Sequence, residues 1–204
     1  MFVYIVDDDR DLAETIALTL RNAGHQTVHF SNGEAFLNVC EDLAAGCVLL
    51  DLLLPLQNGL EIQAALAQRD HCHAVALLTG YGDVPDAVTA MRAGALDFIR
   101  KPYKRAELFD LLDRAEAYVV ECERRRKDAA RYEPLRALST REREVLDILG
   151  QGNSTKQAAS LMQLSARTID MHRANILRKL DVANITAALL LARDATAAGS
   201  QTRR

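Results

Sequence analysis

The chain of 204 residues lacks several features that would fix its class at once. No apolar run is long enough to cross a bilayer. The amino terminus enters an apolar stretch without the basic start of a signal peptide, and we therefore expect a cytoplasmic protein with no membrane contact. The cysteines show no metal-type spacing, so we expect buried or incidental thiols in a reducing compartment. They are Cys40, Cys47, Cys72 and Cys122.

The composition and charge fit globular domains with two different surfaces. The sequence is 49% hydrophobic and 26% charged, which suits one large or two small domains with real cores. The net charge of −3 is unevenly spread. Residues 137–204 hold 10 Lys or Arg against 6 Asp or Glu, a net of +4, which leaves −7 for residues 1–136. This asymmetry suggests a cation site in the first part and a polyanion surface in the second.

Short apolar stretches alternate strictly with helical stretches in the first part of the chain. The predicted strands are residues 2–6, 27–30, 47–51, 74–79 and 96–100, and one of the predicted helices covers 33–43. Such alternation predicts an α/β domain with a doubly wound, five-stranded parallel sheet.

Polar residues end four of these strands. Asp7 and Asp8 follow the first strand, and Asp51 ends the third. The winding of such a sheet reverses beside the first strand, so these carboxylates should meet at one edge. Three carboxylates repel unless a cation neutralises them, and oxygen ligands suit Mg²⁺. Thr79 and Lys101, which end the fourth and fifth strands, would add groups that bind a phosphoryl oxygen. Taken alone, Asp51 could equally cap the next turn.

Residues 1–120 resemble the receiver domain of two-component response regulators. The residues that carry the resemblance are Val6-Asp7-Asp8, Asp51 with Pro55 and Gly59, Thr79-Gly80, and Phe98 with Lys101-Pro102. The resemblance implies a flavodoxin-like (βα)5 fold in which Asp51 accepts a phosphoryl group from a cognate histidine kinase. It implies Mg²⁺ bound by Asp8, Asp51 and the backbone carbonyl of Leu53, with Asp7 acting largely through water.

The same resemblance assigns roles to three further residues. Lys101 would pair with the phosphoryl oxygens, and its bond to Pro102 is often cis in this family. Thr79 would move to donate a hydrogen bond to the phosphoryl group, and Phe98 would change rotamer with it. The chain departs from the family at Leu54, which is usually Met.

Residues 121–136 are predicted to be a helical linker. The preceding helical stretch carries an apolar stripe, and a charged run follows it at 124–127. A solvated linker is the simplest interpretation of that run. A nucleic-acid contact and a short coiled coil with a second copy are the alternatives.

The last part of the chain reads as four helices with clear starts. Ser139 and Glu142 fit a capping box, and Ser154 and Ser165 are predicted to cap the next two helices. A short helix, a tight turn and a longer helix over 167–180 predict a helix-turn-helix.

This region resembles the LuxR-type DNA-binding domain over residues 137–197, with a disordered tail at 198–204. The resemblance rests on residues 138–146 (LSTREREVL), 156–159 (KQAA), 165–169 (SARTI), 172–173 (HR) and 177–180 (LRKL). With a receiver in front, the chain resembles response regulators of the NarL/FixJ class. The resemblance implies a transcription regulator and not an enzyme, which binds double-stranded DNA as a homodimer on phosphorylation, with RNA polymerase as a further candidate partner.

The resemblance places the helix over 167–180 in the major groove. Its core side should hold Ile169, Ile176, Leu177 and Leu180. The residues expected toward the base edges are Thr168, Asp170, Met171 and Ala174. The candidates for phosphate contact are Lys156, Arg167, His172, Arg173, Arg178 and Lys179. The candidates for dimerisation through the last helix, which could equally be core, are Ile185, Ala188, Leu189 and Ala192.

Two competing functions use the same residues differently. The run Asp7-Asp8-Asp9 also fits aspartate-nucleophile phosphohydrolases, with Asp7 as nucleophile and Asp9 as acid; Asp9 fits an N-cap better. The other alternative is a DNA-binding protein whose receiver is only a dimerisation module. The complete set of Asp7, Asp8, Asp51, Thr79 and Lys101 argues against that hypothesis.

Overall fold

The computed structural model describes residues 1–55, 57–80 and 84–201. The chain divides into two compact units, Met1–Arg124 and Arg125–Arg204. Within the described residues, no helix is both long and apolar enough to cross a membrane.

The first unit contains a five-stranded parallel sheet. Its strands are β1 (Phe2–Val6), β2 (Gln26–Phe30), β3 (Gly46–Asp51), β4 (Ala74–Thr79) and β5 (Asp97–Arg100). They lie in the order β2-β1-β3-β4-β5, with every neighbouring pair parallel. The helices between and after them are α1 (Arg10–Asn22), α2 (Gly33–Leu37), α3 (Gly59–Leu66), α4 (Val84–Arg92) and α5 (Arg105–Arg136). The predicted doubly wound fold is therefore confirmed.

The central strands are apolar throughout because both faces of the sheet are covered. Alternate residues of β3 enter different cores: Leu49 packs on the side of α1 and α5, and Leu50 packs on the side of α2 and α3. Both are fully buried. A parallel sheet covered on both faces gives continuous apolar runs rather than alternation, and this is why β3 was readable in the sequence.

The second unit is helical beyond the end of α5. Its helices are α6 (Thr140–Gly150), α7 (Thr155–Met162), α8 (Ala166–Leu180) and α9 (Ile185–Gln201). Ser139, Ser154 and Ser165 cap α6, α7 and α8 as predicted, the first two in complete capping boxes. Between α7 and α8, Gln163 adopts a left-handed conformation. Helix α7, this tight turn and α8 form the predicted helix-turn-helix.

Three element boundaries differ from the predicted ones by more than one residue. Helix α2 ends at Leu37, because the chain turns from Asn38 onward. The predicted linker is part of one continuous helix, α5, which runs to Arg136. Residues 198–201 of the predicted tail belong to α9, and residues 202–204 lie outside the described residues.

The prediction of buried or incidental thiols is confirmed for two of the cysteines and is wrong for the other two. Cys40 and Cys47 are buried free thiols, as expected. Cys72 and Cys122 are instead joined in a disulfide, with their Cα atoms 5.5 Å apart, so for this pair the prediction of incidental thiols is wrong. Because 50 residues separate the two, no local spacing signalled the pair.

The last helix packs its predicted dimer residues largely into the core. Ala188 is fully buried, and Ile185, Leu189 and Ala192 pack against the same core. The structure thus favours the alternative that these residues are core. Leu190 on the same helix is about half exposed.

Candidate functional site

Three carboxylates meet at the carboxyl edge of the sheet. Strands β1 and β3 are hydrogen-bonded neighbours with Val6 opposite Leu50, so the residues that follow them come together. Asp7, Asp8 and Asp51 each offer an oxygen, and these oxygens lie within 4.8 Å of one another. Asp7 is buried and Asp8 exposed. This cluster can hold a cation with oxygen ligands.

Lys101 closes the carboxylate cluster from β5. Its Nζ lies 2.8 Å from Oδ2 of Asp7 and 3.2 Å from Oδ1 of Asp51. Burial lowers the pKa of Lys101, but hydrogen bonds and charge from the two carboxylates outweigh this and raise the pKa above its ordinary value. Lys101 is therefore an ammonium at neutral pH. The bond from Lys101 to Pro102 is cis.

The three carboxylates are not equally available to a cation. Oδ1 of Asp7 accepts a hydrogen bond from the backbone N–H of Asp9 at 2.9 Å, while its Oδ2 accepts one from Lys101. Both oxygens of Asp7 thus have protein partners. Asp8 is exposed and open to a cation and to water. This difference fits the expectation that Asp7 acts through water.

The environment of Asp51 disfavours its charged form. Burial makes the largest contribution and raises its pKa, and the nearby Asp7 carboxylate raises it further. Lys101 and the backbone N–H of Leu52 act in the opposite direction, but the net pKa remains above its ordinary value. A cation placed between these carboxylates would reverse this shift, because it favours the ionised form.

Gly59 holds the loop after β3 against the backbone of Asp51. A Cβ atom at this position would lie 2.4 Å from the carbonyl oxygen of Asp51, too close for any side chain. The Gly59 N–H donates to the carbonyl of Leu52 at 2.9 Å. Leu53, whose carbonyl is a predicted ligand, forms an isolated bridge with Asn58. Only glycine lets this loop return so closely to the site.

Thr79 and Phe98 lie on β4 and β5, the two strands that follow β3 in the sheet. Thr79 is fully buried at the end of β4, one residue after Leu78, which pairs with Asp51. Its carbonyl accepts a hydrogen bond from the N–H of Lys101 at 2.6 Å. Phe98 is partly buried against the core on the α3 side. The structure therefore brings Thr79 and Lys101 to one edge, and their predicted roles in switching remain predictions.

Sequence reasoning missed two residues near the site. The ring Nε2 of His29 lies 2.8 Å from the carbonyl oxygen of Asp7, which can only accept, so His29 donates. This bond fixes the end of β1 against β2. Tyr103 is partly buried, and burial and Asp7 raise its pKa against an opposing effect of Lys101. An alternation pattern identifies strand ends but not which neighbouring ring reaches them.

The carboxylate of Asp9 serves as a helix cap. Its Oδ1 accepts hydrogen bonds from the backbone N–H groups of Asp11 and Leu12 at 3.1 and 3.0 Å, at the start of α1. The N-cap expectation is confirmed. An acid that donates a proton to a leaving group needs a free carboxyl, so this geometry speaks against the phosphohydrolase hypothesis.

The predicted DNA contacts of the second unit lie on α8, apart from Lys156, which lies on α7. Ile169, Ile176 and Leu180 are buried in the core as predicted, and Leu177 packs against it. The exposed members of the predicted set are Lys156, Arg167, Asp170, Met171, Ala174 and Arg178. Thr168 and His172 are partly exposed. The side of α8 that faces away from the core is therefore accessible to a polyanion.

Two basic residues in that set donate hydrogen bonds to other helices of the same unit. Lys179 donates to the buried carboxylate of Glu142 at 2.8 Å and to the carbonyl of Ala137 at 3.0 Å. Arg173 donates to Oγ1 of Thr155 at 2.9 Å and to Oδ1 of Asp170 at 3.1 Å. The structure gives both side chains a helix-to-helix role, which the sequence did not indicate. Their phosphate contacts remain predictions.

The chain matches two protein families over separate ranges. Residues 3–113 match the response regulator receiver domain. Residues 136–192 match bacterial regulatory proteins of the luxR family. Each range falls on the part of the chain in which the corresponding site was found.

Relatives with known names cover nearly the whole chain. The response regulator protein TmoT of Ectopseudomonas mendocina is 35% identical over 187 residues, which is 90% of this chain and 84% of the relative. The transcriptional regulatory protein FixJ of Rhizobium meliloti (strain 1021) is 35% identical over 179 residues, with coverages of 87% and 88%.

Solved structures give the same result. The response regulator StyR, known at low resolution, has a TM-score of 0.77 at 30% identity and covers 95% of this chain and 98% of its own. Full-length FixJ from B. japonicum has a TM-score of 0.57 at 31% identity, with coverages of 96% and 97%.

Proposed function

The chain belongs to the NarL/FixJ class of response regulators, and on that premise we propose that phosphorylation of Asp51 switches dimerisation and sequence-specific DNA binding. The chain combines a receiver domain with a LuxR-type DNA-binding domain and is a transcription regulator. The observation that carries the proposal is the position of Lys101, whose ammonium lies beside both Asp7 and Asp51.

Mg²⁺ is the cation that best suits the carboxylate cluster. The site has three carboxylates against one ammonium, so it carries uncompensated negative charge before any phosphoryl group arrives. Asp8, Asp51 and the backbone carbonyl of Leu53 would hold the ion, and Asp7 would act through water. When bound, Mg²⁺ neutralises charge on the carboxylates and on the phosphoryl oxygens.

The proposed transfer needs electrophilic help that Lys101 supplies. An oxygen of Asp51 attacks the phosphorus of a phosphohistidine on the kinase; a P–O bond forms and the P–N bond breaks, with its electron pair going to the imidazole nitrogen. A carboxylate is a weak nucleophile, so charge on the transferring group must be neutralised. Lys101 is already within contact distance of Asp51 and requires little movement to pair with a phosphoryl oxygen.

The acyl phosphate would then change the face beside the site. It adds roughly −1 to −2 of charge and new acceptor oxygens, toward which the Thr79 hydroxyl would turn and Phe98 would follow. Helix α4 packs on the same face of the sheet as Phe98. Its Val88 and Met91 are 43% and 50% exposed. A second copy would cover these apolar side chains, and the change at Thr79 and Phe98 would favour this contact, so phosphorylation favours a dimer.

Dimerisation would present two copies of α8 to DNA. A two-fold symmetric dimer fits an inverted repeat with half-sites in successive major grooves. Thr168, Asp170, Met171 and Ala174 would face the bases, and exposed Lys156, Arg167 and Arg178 would contact phosphates. Asp170 could accept from a cytosine amino group. A cytoplasmic location, a cognate histidine kinase and contact with RNA polymerase complete the proposal.

Phosphoryl transfer to Asp51 is tested with a small-molecule phosphodonor and Mg²⁺. We expect intact-mass measurement to show one added phosphoryl group, which peptide mapping places at Asp51. The Asp51→Asn protein should gain none, while Asp42→Asn, which removes an exposed carboxylate elsewhere in the unit, should behave like wild type. Equal labelling of the Asp51→Asn protein would refute the proposal.

A further inference from the structure

A disulfide joins two parts of the first unit far from the phosphoryl site. Cys72 lies two residues before β4 begins, and Cys122 lies on α5. The amino ends of parallel strands and the carboxyl ends lie at opposite edges of a sheet. The bond is therefore at the edge opposite Asp51, and the proposed phosphorylation does not use it.

The bond lies at the end of the packed part of α5. The buried residues of this helix run from Leu108 to Val119, which is the last to enter the core. Cys122 follows one turn later, and the first compact unit ends at Arg124. The residues of α5 from 124 to 127 are exposed. The disulfide thus attaches α5 to the rest of the unit at the point where the helix no longer packs against the core.

The two cysteine residues differ in exposure. Cys72 is 5% exposed, whereas Cys122 is partly exposed on the surface of α5. The Cys122 sulfur also lies 3.8 Å from the carbonyl oxygen of His71, which can accept a hydrogen bond from the reduced thiol. The Cys122 sulfur therefore has a partner in both forms: Cys72 when oxidised and the His71 carbonyl when reduced. A reagent from solution would meet this sulfur first.

We propose that Cys72 and Cys122 are a reversible dithiol–disulfide pair that fixes the end of the receiver part of α5 when oxidised and releases it when reduced. The proposal rests on the cytoplasmic location proposed above, where proteins meet glutathione and thioredoxin and disulfides are usually transient or redox-sensing. Because Cys122 is partly exposed, a reagent from solution can reach this pair. Cys40 and Cys47 are buried and are not accessible in this way.

The oxidant is a low-molecular-weight disulfide such as oxidised glutathione. The Cys122 thiolate attacks one glutathione sulfur, which forms a mixed disulfide and releases one glutathione. The Cys72 thiolate then attacks the Cys122 sulfur and releases the second glutathione. Two electrons pass from the protein pair to glutathione, and the two thiol protons end on the two glutathione molecules. Reduced thiol or dithiol reverses both steps.

The first experiment measures the redox state of the full chain in glutathione buffers of defined ratio. After acid quenching, the protein is unfolded in denaturant, its thiols are alkylated and the intact mass is measured under non-reducing conditions. We expect two thiols to disappear together as the buffer becomes oxidising and to return with dithiothreitol. Peptide mapping should assign them to Cys72 and Cys122, while Cys40 and Cys47 stay alkylated throughout.

Serine variants serve as matched controls for that titration. Cys72→Ser and Cys122→Ser should each remove the intramolecular pair. Four free thiols in every buffer would overturn the proposal, as would a bond that dithiothreitol cannot reduce in the folded protein. Disulfide-linked dimers as the main oxidised product of wild type would also overturn it, because the pair would then couple chains rather than α5 to the sheet.

Hydrogen exchange tests the release of α5. In the reduced wild-type protein, amides of residues 119–126 should exchange roughly tenfold faster than in the oxidised protein, whereas amides of α1 should not change. Because wild type is compared with itself, the result does not depend on how well a variant folds. Equal exchange of residues 119–126 in both redox states would show that the disulfide does not restrain this part of α5.

Discussion

The ammonium nitrogen of Lys101 lies 3.2 Å from Oδ1 of Asp51, although 50 residues and two strands separate them in the chain. The same nitrogen is 2.8 Å from Asp7. Before any phosphoryl group arrives, Lys101 therefore partly offsets the repulsion between the two carboxylates. A phosphoryl group on Asp51 would offer it a stronger partner. This double pairing connects the resting site with the proposed reaction.

Replacing Lys101 by alanine should slow phosphorylation of Asp51. The transferring group would lose its protein cation, and the rate with a small-molecule phosphodonor should fall by about 10²- to 10³-fold. Lys104→Ala, which removes an exposed ammonium three residues away, is the matched control and should leave the rate unchanged. The rate is measured by intact mass against time. A Lys101→Ala rate within threefold of wild type would show that the ammonium is dispensable.

The raised pKa of Asp51 gives a pH-dependent stability with a defined sign. A carboxyl whose pKa is higher in the folded state contributes stability below its unfolded pKa, and this contribution is lost as pH rises through the folded pKa. Without Mg²⁺ at neutral pH, Asp51→Asn should therefore increase the free energy of unfolding. The gain should vanish on acidification through the raised pKa. Asp42→Asn, at an exposed site, should show no such gain in urea unfolding.

The pair formed by buried Glu142 and partly exposed Lys179 should stabilise the DNA-binding domain. Burial raises the pKa of Glu142, but hydrogen bonds from Lys179 and Ser139 outweigh it and leave the pKa below its ordinary value. The stability that results is present above the unfolded pKa and is lost as pH falls through the folded one. Glu142→Gln should lower the free energy of unfolding at neutral pH by about 1–3 kcal/mol.

The control for this substitution is a more exposed pair on the same helix. Glu144 accepts from Arg141 at 2.7 Å, and the two side chains are 43% and 66% exposed. Glu144→Gln should change the free energy of unfolding by less than about 0.5 kcal/mol. Similar losses from both substitutions, measured by urea unfolding, would contradict the role assigned to Glu142.

Salt dependence should separate the two neighbouring basic residues at the end of α8. Arg178 is exposed and is proposed to contact phosphate, whereas Lys179 is paired with Glu142. Arg178→Ala should reduce the slope of log affinity against log salt by about 1. Lys179→Ala should leave that slope nearly unchanged while lowering stability. Fluorescence anisotropy on one duplex measures both slopes, and a reversed order would contradict this assignment.

Most of the receiver fold was predictable because its determinants are local. Runs such as 47–51 identify buried strands, and strict alternation with helices leaves few topologies. The meeting of Asp7 and Asp51 followed from the topology alone. Asp9, Ser139 and Ser165 were identifiable as caps because a cap bonds to backbone within three residues.

The features that sequence reasoning missed depend on side chains brought together from distant positions. The charge of Lys179 predicted a phosphate contact, but nothing in the sequence indicated its bond to Glu142, 37 residues earlier. Cys72 and Cys122 carry no spacing signal, because a helix and a strand edge bring them together. Position along the chain does not encode such pairs, and only packing reveals them.

The proposed switch is tested most directly by DNA selection from a random pool with Mg²⁺ alone and with Mg²⁺ plus beryllofluoride, a phosphoryl mimic. Wild type should enrich an inverted repeat only when the mimic is present, and the Asp51→Asn protein should enrich none in either condition. Equal enrichment by wild type with and without the mimic would contradict the proposed switch and would leave the receiver as a dimerisation module.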